Sequence, residues 1–306
     1  MQTTLKNAIS LVGTGLHSGR PARLRLLPAS AEYGIWFRRM DVTDRENLIA
    51  ARYDNVTDTS LCTRISNEAG VDVSTIEHLM AALMGCGIHN VLVEIDGPEV
   101  PIMDGSSDRF VREILTAGIQ VLNAPVRVIR VTQRIEIEQD GVQVSIEPYD
   151  NLEIDFSIDF PDPAIGRQTK KLNMANGAFV RELCNSRTFC RQSDVDWMRS
   201  NGLALGGTLN NAIVVDGDKV LSPGGLRHQD EYVRHKMLDA LGDLALAGAP
   251  IIGRYHGIKA GHAATNALLR KLFANPMAYE MVTCDTLTAT KLPGVGVKPS
   301  DMNLVA

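Results

Sequence analysis

Three polar residues recur every four positions in "EYVRHKMLDALGDLALAG" (residues 231–248), namely His235, Asp239 and Asp243. Residues four apart lie on one face of a helix, so these side chains would stack along a single edge. A histidine and a carboxylate at positions i and i+4 can direct two ligand atoms to one point, as helical zinc motifs do. A solvated edge on a largely buried helix would have the same spacing, and the pattern alone leaves both interpretations open.

The composition of this edge favours a metal site. Histidine and aspartate form helices less readily than the Glu, Lys, Gln and Arg residues that usually occupy solvated faces. Gly242 lies beside the edge, and the missing side chain would let another group approach closely. Lys236 falls in the same sector of the helix.

A tetrahedral catalytic zinc site usually has three protein ligands and one open position, so a third ligand must come from elsewhere in the chain. Among the seven histidines, His78 is the best placed. It lies in the first turns of a predicted helix at 74–87, on a face of small residues that permits close approach. This reasoning predicts a site for one zinc ion formed by His78, His235 and Asp239.

Glu77, which precedes His78, has two open interpretations. It could be a general base at the metal site, the role of the glutamate in H-E-x-x-H motifs. Ser74 and Glu77 also form the S-x-x-E pattern of a helix capping box, which would account for the glutamate without chemistry. Spacing does not separate the two.

Two further residues could take part in the chemistry. His262, in "KAGHAATN", is either a solvent-facing histidine at a helix start or a cation that protonates a leaving amine, with Asp243 as its carboxylate partner. Thr188, in "NSRTFC", could donate a hydrogen bond to an oxyanion, although a threonine in a loop usually caps or turns the chain. The residues support a mononuclear zinc hydrolase and say little about its substrate.

The elements that must position these residues follow from hydrophobic periodicity. Strands are predicted at 22–29, 34–39, 91–96, 152–160 and 250–260, and helices at 74–87, 106–118, 231–248 and 263–274. Hairpins are predicted around "QDG" (139–141), whose Asp-Gly pair suits a tight turn, and within 211–222.

The chain of 306 residues is long enough for two hydrophobic cores. A weak internal repeat supports this division, because His78 and His235 are each followed by a glycine seven residues later, then a strand and an amphipathic helix. We expect an α+β fold of two domains with similar topology, 1–124 and 125–306, each a sheet covered on one face by helices.

Composition excludes several classes of function. With 36 acidic and 31 basic residues and no basic run longer than two, the chain lacks the footprint of a nucleic-acid-binding protein. Five scattered cysteines without a C-x-x-C pair indicate a reducing compartment. Neither a signal peptide nor an apolar run of membrane-spanning length is evident, so a cytoplasmic location is expected.

Long blocks of the sequence resemble the UDP-3-O-acyl-N-acetylglucosamine deacetylases of Gram-negative lipid A synthesis. The blocks cover nearly the whole chain and are "GTGLHSGRPARLRLLPA", "TSLCTRI", "STIEHLMAALMGCGIHNVLVEIDGPEVPIMDGSS", "SRTF", "LALGGTLNNAIVVDGDKVL", "GLRHQDEYVRHKMLDALGDLALAG" and "AGHAATN". The resemblance implies a zinc amidase that removes the acetyl group from the glucosamine nitrogen of a UDP-linked acylated amino sugar. The products would be a free amine and acetate.

The resemblance also implies roles for individual residues. The zinc ligands it implies are His78, His235 and Asp239. The catalytic groups it implies are Glu77 as catalytic carboxylate, His262 as cationic histidine, Asp243 as its orienting partner and Thr188 as oxyanion donor. The residues it implies around the sugar nucleotide are Lys236, Phe189 and His17.

In the family each half is a two-layer α/β sandwich and the site lies between the halves, so the same is expected here. An insert, here about 195–221, would form an apolar passage for the acyl chain. Three departures from the family pattern leave every catalytic group in place: Cys190 where glycine is expected, "AGHAATN" around His262, and "SPG" before "GLRHQDEY". They are expected to affect loop shape, acyl-chain preference and inhibitor fit.

Two alternatives stay open, a zinc amidohydrolase acting on another acylated amino sugar or peptide, and a non-catalytic ligand-binding protein that uses the same cleft. The expected partner is the sugar-nucleotide substrate, and no nucleic acid is expected to bind. The chain is expected to be a monomer with at most transient membrane contact. The tail "SDMNLVA" (300–306) is interpreted as a loose apolar end that a protease could grip.

Overall fold

The computed structural model describes residues 1–304. The last two residues of the tail 300–306, for which the sequence suggests recognition by a protease, lie outside the described residues. The strands of the first half are β1 (Thr3–Leu5), β2 (Ile9–Thr14), β3 (Pro21–Pro28), β4 (Ile35–Arg39), β5 (Leu48–Ala50), β6 (Val56–Asp58), β7 (Arg64–Ser66), β8 (Asp72–Val73), β9 (Val91–Ile95) and β10 (Ile119–Val121). Its helices are α1 (Glu77–Gly85) and α2 (Asp108–Ala117), with a short 3-10 turn at Tyr53–Asn55.

The second half is also mixed. Its strands are β11 (Arg127–Val131), β12 (Ile135–Gln139), β13 (Val142–Glu147), β14 (Leu152–Asp159), β15 (Arg167–Asn173), β16 (Phe189–Arg191), β17 (Ile213–Asp216), β18 (Lys219–Val220), β19 (Ile251–Ile258) and β20 (Tyr279–Thr283). Its helices are α3 (Ala178–Glu182), α4 (Gln192–Ser200), α5 (Glu231–Leu244), α6 (His262–Phe273) and α7 (Thr286–Ala289), with 3-10 turns at Ala245–Ala247 and Pro299–Leu304. The predicted α+β class is confirmed.

Each half contains one main sheet. In the first half the order is β2-β3-β9-β4-β5, with only β4 and β9 parallel. In the second half the order is β12-β13-β19-β11-β20, and β14 joins β19 to β15. Within residues 1–304 every pairing between named strands joins strands on the same side of residue 124. The domain limits of 1–124 and 125–306 remain a prediction with which this pairing agrees.

Helices α1 and α5 pack against each other where the halves meet. Helix α5 also contacts β14, β15 and α6, while α6 contacts β12 and β13. A Cβ built on Gly242 would lie 2.1 Å from the backbone oxygen of Glu77. The close approach that the sequence predicts at this glycine is therefore made by the backbone of α1.

Buried apolar side chains of both halves form one continuous core that includes Leu24, Leu79, Ile146 and Leu241. This core runs through the α1–α5 contact, so polar side chains at that contact are largely removed from solvent. The sequence pattern of α5, apolar around most of its circumference, is explained by this position.

The hairpin predicted at "QDG" is confirmed. Strands β12 and β13 pair antiparallel, and Asp140 and Gly141 both have positive φ, 52° and 78°. A two-residue turn with this backbone matches the twist of the strands it joins. The second predicted hairpin forms as β17 and β18.

Periodicity did not reveal the edge strand β15. Its residues alternate between exposed and partly exposed positions, and it pairs only with β14. Because neither face is fully buried, the strand lacks the apolar alternation by which a half-buried strand is recognised in sequence.

A separate small sheet accompanies the main sheet of the second half. Strands β16 and β17 pair parallel with Cys190 opposite Val214, α4 connects them, and β18 completes a three-stranded sheet. This unit contains most of the predicted insert 195–221 and begins earlier, at Phe189.

No helix in the described part of the chain combines the length and apolar character that crossing a lipid bilayer requires.

Candidate active site

The polar edge of α5 is buried. His235, Asp239 and Asp243 are 2%, 5% and 3% exposed. The interpretation of this edge as a solvated face is therefore wrong, because α1 packs on it at Gly242. A buried row of histidine and aspartate must be paired or hold a cation.

The structure brings His78 to this edge. Its Nε2 atom lies 3.5 Å from Asp239 Oδ1, and His235 Nε2 lies 3.3 Å from the same oxygen. The three ligand atoms lie within 4.8 Å of one another, and all three residues are buried. Two imidazole nitrogens and one carboxylate oxygen from two helices thus converge on one point.

The chemistry of these atoms fits a metal ion. Asp239 Oδ1 is buried and has no hydrogen-bond partner, although it faces two imidazoles. His235 Nδ1 lies 3.0 Å from the Ser186 carbonyl oxygen, which can only accept, so the proton is on Nδ1 and Nε2 presents its lone pair. Burial lowers the pKa of His235 to about 4, against the opposing charge of Asp239. Two imidazole nitrogens and one carboxylate oxygen are a donor set that catalytic zinc sites use.

Lys236 occupies the other oxygen of the aspartate. Its Nζ atom donates to Asp239 Oδ2 over 2.8 Å, and the side chain is largely buried. Although burial disfavours the carboxylate, the charge and hydrogen bond of Lys236 hold the pKa of Asp239 well below its usual range. Asp239 is therefore ionised, with Oδ1 alone directed at the histidines.

Glu77 does not form a capping box. The residue preceding α1 is Ile76, no side chain caps the helix, and Ser74 Oγ donates to the Pro98 carbonyl oxygen instead. Glu77 Oε2 accepts a hydrogen bond from the Thr63 backbone N–H (3.0 Å), and Oε1 lies 3.9 Å from His262 Nε2. Burial raises the pKa of Glu77, the change that suits a general base working near neutrality.

His262 is the first residue of α6, and its ring turns toward α5. Nδ1 lies 2.7 Å from Asp243 Oδ2. Burial opposes the charged ring, but the charge and hydrogen bond of Asp243 outweigh it and raise the pKa of His262 to about 9. The imidazole is thus a cation at neutral pH, held beside Glu77.

The loop before β16 carries Ser186 and Thr188 and is tied to the start of α5. Arg187 makes a two-pronged ion pair with Glu231, Nε to Oε1 at 2.9 Å and Nη2 to Oε2 at 3.1 Å. The Arg187 backbone N–H also donates to Glu231 Oε1 (3.0 Å). Because Glu231 lies one helical turn before His235, the fork fixes the loop against the histidine it serves.

Thr188, Phe189 and His17 line the same cavity as the cluster. This cavity of about 610 Å³ is bounded by His235, Lys236, Asp239 and His262 at one end. The Phe189 ring lies edge-on to the His235 ring, with centroids 6.3 Å apart. From Phe189 the cavity continues between α4 and β17 along apolar side chains, among them Val195, Met198, Leu209, Ala212 and Val214.

His17 is held by its backbone. The backbone N–H groups of His17 and Ser18 donate to the buried Glu99 carboxylate over 2.8 and 2.9 Å. The same loop contacts the insert, since the Leu205 N–H donates to the His17 carbonyl oxygen (3.2 Å). Both ring nitrogens of His17 are buried without a hydrogen-bond partner, and burial lowers the pKa of the ring.

Cys190 also lines the cavity, next to Phe189. Burial raises the pKa of this thiol to about 11, so it stays protonated. The departure from glycine therefore changes the shape of the apolar part of the cavity without adding charge.

Sequence reasoning did not identify Thr63, Ser186, Arg187, Glu231 or Glu99 as parts of the site. Thr63 meets Glu77 and Asp243, which are 14 and 180 positions away, so no helical or strand spacing relates them. Ser186 acts through its carbonyl, which carries no residue identity. The only available signal was membership of the resembling blocks, "TSLCTRI" for Thr63, "SRTF" for Ser186 and Arg187, "GLRHQDEY" for Glu231 and "GPEVP" for Glu99.

Residues 2–274 match the family model described as LpxC: UDP-3-O-acyl N-acetylglycosamine deacetylase. A UDP-3-O-acyl-N-acetylglucosamine deacetylase of Pasteurella multocida (strain Pm70) is 46% identical over 286 residues, 93% of each chain. The proteins of the same name from Idiomarina loihiensis and Sodalis glossinidius are 46% and 44% identical over 291 and 301 residues. These alignments cover 94% and 98% of this chain and 95% and 98% of the relatives.

Proposed function

The chain belongs to the UDP-3-O-acyl N-acetylglycosamine deacetylase family, and we propose that the cluster between α1 and α5 is its catalytic centre. It is a deacetylase that hydrolyses the acetamide of UDP-3-O-acyl-N-acetylglucosamine in lipid A synthesis. The products are UDP-3-O-acyl-glucosamine and acetate. The observation that carries the site assignment is the buried, unpartnered Asp239 Oδ1 facing two histidines, with Glu77 and a charged His262 alongside.

We propose Zn²⁺ as the ion held by His78, His235 and Asp239, since two imidazoles and one carboxylate suit it. When bound, such an ion polarises the acetamide carbonyl and makes water more acidic. The Ser186 carbonyl keeps the His235 ring in the ligating tautomer. Lys236 leaves only one Asp239 oxygen for the ion.

Glu77 is the general base. Its Oε2 atom is occupied by the Thr63 N–H, so Oε1 is the atom that takes a proton from the attacking water. Burial raises its pKa and thus the driving force for accepting that proton. The Thr188 hydroxyl, which lines the cavity beside the cluster, donates to the carbonyl oxygen as negative charge develops there.

His262 supplies the proton for the leaving amine. Asp243 accepts a hydrogen bond from Nδ1, so the opposite nitrogen, Nε2, carries the proton that faces Glu77 and the reacting centre. The cationic ring also stabilises the developing oxyanion. Once the amine departs, the proton that Glu77 received from water can restore the charge on the ring.

The cavity accommodates the two ends of the substrate differently. Lys236, Phe189 and His17 border the polar end, where the sugar nucleotide is held. The apolar part between α4 and β17 takes the acyl chain, and about 610 Å³ is within the usual range of ligand pockets. We propose that the insert at about 195–221 forms this passage. The small sheet that contains most of the insert begins earlier, at Phe189.

We further propose a cytoplasmic monomer with domains 1–124 and 125–306 and at most transient membrane contact. The five cysteines, all unpaired in the structure, support a reducing compartment.

One assay separates the proposed activity from its rivals. Acetate release is measured with UDP-3-O-acyl-N-acetylglucosamine and with simple N-acetylated sugars, and the bound metal is determined by elemental analysis. We expect release from the first substrate only, with about one zinc per chain. Release from simple sugars would favour a broader amidohydrolase, and a metal-free chain indifferent to chelators would favour a non-catalytic binding protein. Asp239→Ala is the control and should lose both metal and activity.

A further inference from the structure

We propose that Thr63 is a positioning residue that fixes the general base and the general acid relative to each other. Its backbone N–H donates to Glu77 Oε2 (3.0 Å), and its hydroxyl donates to Asp243 Oδ1 (2.6 Å). The side chain is 1% exposed. One residue, located between β6 and β7 of the first half, therefore holds a carboxylate of α1 and a carboxylate of α5.

The hydroxyl determines how Asp243 meets its histidine. Asp243 has one oxygen on Thr63 Oγ1 and the other on His262 Nδ1, at 2.6 and 2.7 Å. With both oxygens engaged, the carboxylate cannot rotate about its terminal bond without breaking a buried hydrogen bond. The direction of the His262 ring follows from the direction of this carboxylate.

The backbone N–H completes the arrangement from the other side. It occupies Glu77 Oε2 and leaves Oε1 at 3.9 Å from His262 Nε2. The gap between the atom that accepts the proton and the atom that donates it is thus set by two hydrogen bonds from one residue. Displacement of a reacting group by about 1 Å can lower a rate on the order of 100-fold, so this gap matters for turnover.

A packing role alone would make the hydroxyl dispensable. Thr63→Val keeps the shape of the side chain and the N–H to Glu77 but removes the donor to Asp243. Thr63→Ser keeps the hydroxyl and removes only the methyl group. Thr4→Val is a matched control. Thr4 lies in β1, outside the cavity, is 2% exposed, and its hydroxyl donates to the Asn90 carbonyl oxygen (2.7 Å).

The inference rests on the proposed deacetylation, and two readouts test it. In the acetate-release assay, Thr63→Val should lower kcat roughly 10- to 100-fold with KM within about twofold, and Thr63→Ser should restore most of kcat. Zinc content should stay unchanged in all variants, and Thr4→Val should keep kcat. Unchanged kcat in Thr63→Val, or equal losses in Thr63→Val and Thr63→Ser, would overturn the inference.

The second readout does not depend on the substrate. The Nδ1–H proton of His262 in its bond to Asp243 is observable by NMR in the full-length protein. We expect its signal to shift or broaden in Thr63→Val, to return in Thr63→Ser and to remain in place in Thr4→Val. A wild-type chain that releases no acetate would refute the proposed activity, whereas an unmoved proton signal in Thr63→Val would refute the role of Thr63.

Discussion

Glu77, Asp239 and Asp243 are all buried, and each carboxylate has different neighbours. Asp239 faces two imidazoles and an ammonium group, Asp243 pairs with one imidazole, and Glu77 has a peptide N–H on one oxygen. These surroundings keep Asp239 ionised and raise the pKa of Glu77. The proposed ligand, orienting group and base are thus distinguished by environment and not by residue type.

Glu77→Gln should separate catalysis from metal binding. The amide keeps the size of the side chain but cannot accept a proton, so kcat should fall roughly 100- to 10,000-fold. Because Glu77 is outside the ligand set, zinc content by elemental analysis should equal that of the wild type. An unchanged rate would remove Glu77 as the base, and a lost metal would assign it to the ligand set.

The rate should fall at high pH as His262 loses its proton. Burial acts against the charge, but Asp243 raises the pKa of the ring from 6.5 to about 9. Since the neutral ring cannot protonate the leaving amine, log kcat should descend as pH passes about 9. In Asp243→Asn the descending limb should move to lower pH. If the descending limb stays at the same pH in this variant, deprotonation of His262 is not its cause.

The His262–Asp243 pair should stabilise the folded state at low pH and lose this effect at high pH. The folded pKa of His262 lies above its unfolded value, so the folded state binds this proton more tightly. The resulting stabilisation is complete below about pH 6.5 and is lost as pH rises through 9. Urea unfolding at several pH values should show this loss in the wild type and a smaller one in Asp243→Asn, with equal pH dependence arguing against the pair.

At the scale of elements, the site depends on how closely α1 and α5 approach. His78 belongs to α1, whereas His235 and Asp239 belong to α5, so the spacing of the helices sets the spacing of the proposed ligands. Gly242 allows backbone contact between the last turn of α5 and Glu77 at the start of α1. A side chain at that position would push the two ligand-bearing helices apart.

Gly242→Ala should therefore lower both stability and metal affinity. The added Cβ would meet the Glu77 backbone oxygen at 2.1 Å, a clash that no rotamer change relieves. Overpacking costs about 1–3 kcal/mol and offsets the gain of about 1 kcal/mol in helix propensity. The unfolding free energy and the zinc dissociation constant should be measured for Gly242→Ala and for the wild type.

Gly97→Ala is the matched control. Its added Cβ would meet only the Ala22 Cβ, at 3.9 Å, so stability within about 0.5 kcal/mol of the wild type and unchanged zinc binding are expected. If Gly242→Ala behaved like this control, the crossing would not determine the geometry of the site.

At the scale of the whole molecule, the cluster joins the two halves. Of the three proposed ligands, His78 comes from the first half and the other two come from the second, so an ion held by all three would stabilise the assembled state. An ion that binds only the folded chain adds about 4 kcal/mol at a concentration 1,000 times its dissociation constant.

Metal removal should accordingly lower the unfolding temperature. We expect chelator-treated protein to unfold at a lower temperature, addition of Zn²⁺ to restore it, and Asp239→Ala to respond less to either treatment. Calorimetry provides the measurement and requires no substrate. An unfolding temperature indifferent to chelation would show that the metal does not join the halves.

Much of the fold follows from local pattern. Apolar residues at helical spacing predict α2 and α6, which each bury one stripe, and α1 and α5, which are buried around most of their circumference. Asp-Gly predicts the β12–β13 turn through its positive φ. Strand β15 has no buried face, so its pairing partner alone makes it a strand. Such elements are decided by neighbours that are distant in sequence.

The sequence by itself determined the candidate residues, because residue type and four-residue spacing on one helix suffice to propose a His-Asp ligand pair, and long resembling blocks suffice to indicate the family. It did not decide between a solvated edge and a site, or between a cap and a base at Glu77. The packing of α1 on α5 excluded the solvated edge, and the hydrogen bonds of Ser74 and Glu77 excluded the capping box, because buried polar atoms require partners that the sequence pattern does not specify. The roles of Thr63 and of the Ser186 carbonyl likewise exist only in three dimensions, where hydrogen bonds join residues that no local pattern relates.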